Sequence, residues 1–172
     1  MLSRRQFLKA GLIGGIALSG LAAWYGLRRG LSKHGETDFT GSEAAMVSAV
    51  AAAVLAGMLP KEAGARRAAL DRTVSGVARA IGGLGAAAQQ EIGELFALLD
   101  FPPTRGALAG IWMRWEDAGP DKVAAFLTSW RHSRFALLQS AYAALHDLVL
   151  GAWYGQAESW QAIGYPGPPD VA

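Results

Sequence analysis

The sequence predicts an all-α fold: a compact bundle of about five or six helices, with an N-terminal signal or anchor segment and an extended C-terminal tail. Apolar residues recur at helical spacing through most of the 172 residues. No segment shows the two-residue alternation of a strand. Clusters of proline and glycine separate the helical segments, so the helices are expected to be short enough to pack as a bundle.

The first segment, residues 1–29, predicts an export signal or anchor. A basic start precedes the apolar run 10–27, which is the layout of such a signal. Its residue types match the twin-arginine pattern, an address read by the Tat translocase. The signal residues are Ser3, Arg4, Arg5, Phe7, Leu8 and Lys9. We therefore expect Tat export to the periplasm. Cleavage of the run and its retention as an inner-membrane attachment both stay open.

A helical domain over residues 42–155 is predicted after a polar, glycine-bearing linker over 30–41. Thr40 and Glu43 have the spacing of a capping box, in which each side chain accepts from the other's backbone N–H at a helix start. The first helix is expected to run on to Pro60, which has no N–H to continue it.

The next helices are delimited by breakers. The second is expected from about Glu62 to the glycines at 82–85. The third ends before the prolines of 101–103, because the residue before a proline resists the α conformation. A short helix is then expected over residues 104–116.

Two further helices complete the prediction. Pro120 and Asp121 are typical of a helix start, and they begin the first of the two. The longest helix is expected over residues 134–154; it is apolar on most sides and therefore central. The tail 156–172 is rich in proline and glycine and is expected to lie extended over a surface.

The residue types argue against an enzyme. The chain has no cysteine, which excludes a thiol nucleophile and c-type haem attachment, and its net charge of +2 is too small to indicate nucleic acid. His132 and His146 are expected to be hydrogen-bonded at a helix end and a helix flank, outside any metal spacing. His146 and Asp147 are adjacent, and adjacent helical residues do not face each other. We expect no catalytic, metal or cofactor-binding residue; an enzyme using His132, Glu116 or Asp147 is the least favoured alternative.

Aromatic and arginine residues concentrate in the second half of the chain, and these types dominate interface hot spots. Trp130 and Trp153 are expected mainly in the core. Trp160 and Tyr165 are expected in an interface, because a tail that cannot fold on itself is ordered only by docking. The residues proposed for a partner interface are Arg105, Arg131, Arg134, Trp153, Tyr154, Trp160, Ile163, Tyr165, Pro166 and Pro168.

The stretch 152–169 (AWYGQAESWQAIGYPGPP) resembles the C-terminal signature of the small, Tat-signal-bearing subunit of membrane-bound flavin dehydrogenases, the gluconate 2-dehydrogenase subunit 3 type. The segments 101–106 (FPPTRG), 126–127 (FL) and 130–134 (WRHSR) are similar to that group too. Ala157 departs from it, since proline is expected there.

The resemblance implies a small subunit that binds no cofactor and escorts a large flavoprotein through the Tat channel. That catalytic partner carries FAD and is of the glucose–methanol–choline type, and a multi-haem cytochrome c subunit commonly takes its electrons. The chain is therefore expected to be a non-catalytic accessory subunit of a periplasmic sugar or alcohol dehydrogenase. The alternative is a stand-alone periplasmic or membrane-anchored helical binding or scaffold protein.

Overall fold

The computed structural model describes residues 39–162 together with Gly164 and Pro166, and the described residues belong to one compact unit. Every regular element in this part is helical, which confirms the all-α prediction. The elements are α1 Gly41–Val54, α2 Ala63–Gly82, α3 Ala86–Asp100, α4 Pro102–Ala109, a 3₁₀ turn Trp115–Asp117, α5 Pro120–Arg131, α6 Ala136–Tyr154 and α7 Ala157–Ala162. The predicted signal and most of the predicted linker lie outside the described residues.

The start of α1 confirms the capping box. The backbone N–H of Thr40 donates to Glu43 Oε2 at 2.8 Å, and the N–H of Glu43 donates back to Thr40 Oγ1 at 3.4 Å. Phe39 packs against Phe96 with the ring centroids 5.7 Å apart. Residues 39–41, assigned to the linker from the sequence, therefore belong to the domain.

The end of α1 differs from the prediction. The helix stops at Val54, with Leu55 as its C-cap, and does not reach Pro60. Leu55 is buried, and Gly57 turns the chain in the left-handed region at φ 87°. The chain reverses at the first residue that can adopt this conformation without strain, and the proline is not needed to stop the helix.

The starts of α2 and α5 and the end of α3 confirm the predicted boundaries. Glu62 is the N-cap of α2, and its carboxylate accepts from the N–H groups of Gly64 and Ala65 at 2.8 and 2.6 Å. Asp100 is the last residue of α3, before the prolines, and Pro120 is the first residue of α5.

The helix expected over 104–116 is wrong in its second half. It begins at Pro102 and ends at Ala109, because Gly110 takes the left-handed conformation at φ 70°. An irregular segment, 111–114, and the 3₁₀ turn follow. Ile111 and Trp115 are both buried, so the break allows the chain to place two large side chains in the core.

The central helix is α1. It packs against α2, α3, α5, α6 and the 3₁₀ turn. The sequence prediction gave this position to α6, which has 19 residues and is one shorter than α2. Only Leu145, Val149 and Ala152 of α6 are buried, all in its C-terminal half. Overall hydrophobicity misidentified the central helix because much of the apolar surface of α6, such as Leu137, is exposed.

The predicted tail is helical at its start. Residues 157–162 form α7, so the expectation of extended backbone is wrong there. None of the described helices is both long and apolar enough to cross a membrane.

Candidate partner-binding surfaces

Arg105 does not lie on a free surface. Its side chain is 5% exposed, Nε donates to the carbonyl of Ile111 at 3.1 Å, and Nη1 lies 3.4 Å from the carbonyl of Asp100. The prediction of an interface role is wrong for this residue. Helix ends leave carbonyls without intrahelical donors, and a guanidinium has five N–H groups to supply to them.

The last turn of α3 is capped by side chains from the segments that follow it. Three consecutive carbonyls are bound in this way: Leu98 by Thr104 Oγ1, Leu99 by Trp115 Nε1 at 3.0 Å, and Asp100 by Arg105 Nη1 at 3.4 Å. In addition, the hydroxyl of Ser42 donates to the carboxylate of Asp100, joining α3 to the first turn of α1. The residues 101–106 that carried part of the family resemblance therefore hold the fold together.

Trp112 is the most exposed tryptophan of the described residues, at 72%, yet its ring rests on a fixed support. The ring lies on Gly106 of α4, where a Cβ atom would come within 2.4 Å of it. Sequence reasoning did not place Trp112 in the interface. The sequence does contain one sign of this contact, because Gly106 lies inside a short helix and six residues before Trp112.

Trp130 is buried, as predicted. It is 2% exposed, packs edge-on against Phe126 with centroids 4.7 Å apart, and donates from Nε1 to the carbonyl of Leu108 at 2.9 Å. Trp153 is half-buried and packs against the core. Neither indole is available as a large free contact surface.

The junction between α6 and α7 is tied down by Trp160 and Gln156. The indole N–H of Trp160 donates to the carbonyl of Tyr154 at 2.7 Å, capping the end of α6. The amide of Gln156 donates to the carbonyl of Ala152 at 2.8 Å and lies 3.5 Å from the hydroxyl of Thr73 on α2. These bonds tie α7 to the end of α6 and to α2, so the last described helix is anchored to the domain.

The remaining predicted residues of the C-terminal segment have different positions. Tyr154 is 38% exposed, and its hydroxyl reaches the sulfur of Met58 at 3.7 Å. Pro166 is exposed. Ile163, Tyr165 and Pro168 lie outside the described residues.

Arg131 and Arg134 are exposed at the corner between α5 and α6. Next to them are Phe135, 56% exposed, and Leu137, 78% exposed, which sequence reasoning did not single out. The guanidinium of Arg134 lies 4.8 Å from the centroid of the Phe135 ring. We call these four residues the corner surface.

The two histidines of the domain are hydrogen-bonded, as expected. Nδ1 of His132 lies 3.0 Å from the carbonyl of Thr128 at the end of α5, and Nδ1 of His146 lies 3.2 Å from the carboxylate of Asp147. The second contact corrects the expectation that these neighbours do not meet: both side chains are long enough to turn towards each other. Among the described residues, no three potential metal-ligating side chains come together.

An ion pair between residues two positions apart follows Trp112 in the chain. Arg114 and Glu116 form an exposed ion pair with 3.1 Å between Nη2 and Oε1. The pKa of Glu116 is lowered by a backbone hydrogen bond and by the Arg114 side chain. The two opposite charges of this pair compensate each other at the surface.

Comparison with protein-family models, curated proteins and solved structures finds no match to the chain.

Proposed function

We propose that the chain is a non-catalytic accessory subunit of a periplasmic FAD-dependent sugar or alcohol dehydrogenase, and that it escorts the folded flavoprotein through the Tat pathway. The observation that carries the proposal is a twin-arginine pattern on a chain whose helical domain holds exposed aromatic, aliphatic and arginine side chains on fixed supports. These are the side-chain types on which interface energy concentrates.

The need for folded export supports the proposal. A helical bundle without cysteine has no disulfide to form on either side of the membrane. A flavoprotein must acquire FAD in the cytoplasm and therefore has to cross already folded. A single signal on the small chain then serves both proteins.

The C-terminal junction supplies the first contact. Trp160 and Gln156 anchor α7, the last described helix, to the end of α6. A proline-rich segment that starts from a fixed point loses less conformational entropy on docking than one on a mobile stalk. We assign Tyr154 and the segment 163–172 to the interface with the flavoprotein.

The proposal predicts that Arg4→Lys together with Arg5→Lys retains the flavoprotein in the cytoplasm along with this chain. The measurement is dehydrogenase activity and flavoprotein antigen in periplasmic and cytoplasmic fractions of cells that co-express both proteins. The matched control is Arg28→Lys with Arg29→Lys, which changes a second arginine pair beyond the apolar run. Equal export of active flavoprotein in cells that lack this chain would disprove the escort role.

The second candidate, a stand-alone helical scaffold protein, is favoured by the self-contained core of the domain, in which α1 packs against most of the other helices. It predicts a stable monomer that binds no flavoprotein. Size-exclusion chromatography of the chain, alone and with the co-expressed flavoprotein, separates the two candidates.

A further inference from the structure

The stretch from Arg131 to Ala144 contains no buried residue, although much of it is apolar. It covers the corner between α5 and α6 and the first half of α6. Phe135 and Leu137 are more than half exposed, whereas Leu138 and Tyr142 pack only partly against the core. Exposed apolar patches on soluble proteins are characteristic of interaction sites, and these two large apolar residues lie within three positions of the chain at one corner.

Hydrogen bonds fix the backbone of the corner that carries these side chains. The hydroxyl of Ser133 accepts from the backbone N–H of Phe135 at 3.1 Å, and the side-chain amide of Gln139 donates to the carbonyl of Ser133 at 2.7 Å. The connection between the two helices is therefore hydrogen-bonded from both sides. A preorganised apolar contact loses less entropy on binding than a mobile one.

Both charged residues of the corner surface are positive. The sequence has no acidic residue between Asp121 and Asp147. Arg131 and Arg134 lie in that interval, and neither forms an ion pair with a carboxylate of the described residues. A partner that covers Phe135 and Leu137 must place these two guanidinium groups near its own rim, where acidic groups give complementarity.

The corner surface and the C-terminal junction lie at opposite ends of α6. A helix of 19 residues is about 28 Å long. An exposed row of mostly small residues runs between the two ends: Ala136, Ser140, Ala143, Asp147, Gly151 and Tyr154. The face of the domain that extends from the corner surface to the C-terminal end of α6 is long enough to hold one side of a standard protein interface, which buries about 800 Å² per partner.

We propose that the corner surface is a second docking point for the flavoprotein, and that it fits an apolar groove of that subunit with carboxylates on its rim. The inference rests on the proposed function and names the face of the domain that the partner covers. A second copy of the chain is a poorer occupant, because a two-fold contact would bring Arg131 and Arg134 against their own copies. An anionic lipid surface is also poorer, since Asp147, 78% exposed, lies on the same outer row.

The test uses the full chain, tagged and co-expressed with the glucose–methanol–choline-type flavoprotein that is proposed as its partner. One variant is Leu137→Glu and another combines Arg131→Glu with Arg134→Glu. The matched controls are Leu84→Glu, at an exposed leucine of the turn between α2 and α3, and Arg66→Glu with Arg67→Glu, at exposed arginines of α2. The melting temperature of each variant, alone, checks that it folds.

We expect each corner variant to lower co-purified flavoprotein at least tenfold, with an unchanged melting temperature, and each control to bind like wild type. Wild-type levels of complex with the corner variants would overturn the inference and leave the proposed function standing. A wild-type chain that binds no flavoprotein would overturn both.

Two further readouts test the other occupants of the corner. Flotation with vesicles of phosphatidylcholine and phosphatidylglycerol assigns the surface to lipid if wild type floats and the corner variants do not. Light scattering assigns it to a second copy if wild type is a dimer and the corner variants are monomers. Either result would overturn the inference.

Discussion

At the scale of single residues, the side chains that look most like interface residues mostly support the fold. Arg105 and the indoles of Trp115 and Trp160 all donate to carbonyls at helix ends. Each uses its long reach and its strong donor to satisfy a carbonyl without an intrahelical partner. The Trp115 bond to Leu99 is buried, and leaving that acceptor unsatisfied would cost about 1–3 kcal/mol. Residue type alone does not separate this role from partner binding, because both need a large side chain with a polar tip.

Gly106 gives the first residue-scale prediction. In Gly106→Ala the new Cβ would lie 2.4 Å from the nearest atom of the Trp112 ring, so the ring must be displaced from its packing position on α4. We expect a loss of about 1–2 kcal/mol in the free energy of unfolding. Urea denaturation measures the stability, and acrylamide quenching reports the greater exposure of Trp112.

The control for that variant is Gly151→Ala, at an exposed position of α6 where a Cβ meets nothing within 4 Å. It should stabilise the domain by about 0.5–1 kcal/mol, because alanine has the higher helix propensity. Equal stabilisation by both substitutions, with unchanged acrylamide quenching, would show that the packing of Trp112 on α4 does not require a glycine at position 106.

At the scale of elements, a carboxylate controls the start of α2. The pKa of Glu62 is lowered by hydrogen bonds from the N–H groups of Ala65 and Gly64. A carboxylate whose folded-state pKa is lowered contributes stability above its ordinary value of 4.5, and the contribution is lost as the pH falls through the folded-state pKa. Protonation therefore weakens the cap of α2 in acid.

We expect Glu62→Gln to be less stable than wild type at pH 7 and nearly equal to it near pH 2–3. The measurement is the midpoint of urea unfolding across this pH range. The matched control is Glu91→Gln, an exposed carboxylate of α3, which should change little at either pH. A constant difference between Glu62→Gln and wild type at every pH would contradict a role for the ionised cap.

The boundaries that depend on local chemistry could be predicted from the sequence, and those that depend on packing could not. Thr40 with Glu43, the prolines after Asp100 and Pro120 act within a few residues, so the pattern identifies them. The ends of α1 at Val54 and of α4 at Ala109 each precede a glycine with positive φ, but the sequence has 22 glycines, and the packing of the following segment decides which of them turn the chain. The formation of α7 likewise depends on what it packs against. That information is not present in any single window of the sequence.

At the scale of the whole molecule, the site was only partly predictable. Composition pointed to the second half of the chain and to Arg131 and Arg134, which the structure leaves exposed. Phe135 and Leu137 were missed because apolar residues of a helical segment are ordinarily assigned to the core, and only the assembled bundle shows that none of the described helices covers them. The proposed interface therefore combines residues indicated by the sequence with residues revealed by the packing.

Two truncations separate the two roles of the C-terminal segment. A chain ending after Ala162 keeps α7, so we expect unchanged stability but at least tenfold less co-purified flavoprotein, because the docking segment is lost. A chain ending after Tyr154 also loses the bonds made by Trp160 and Gln156, and we expect a further destabilisation on the order of 2 kcal/mol. Urea unfolding of the isolated chains and pull-down of the co-expressed flavoprotein measure the two effects. If the chain ending after Ala162 still binds stoichiometrically, the segment 163–172 does not dock; if the two truncated chains are equally stable, Trp160 does not support α6.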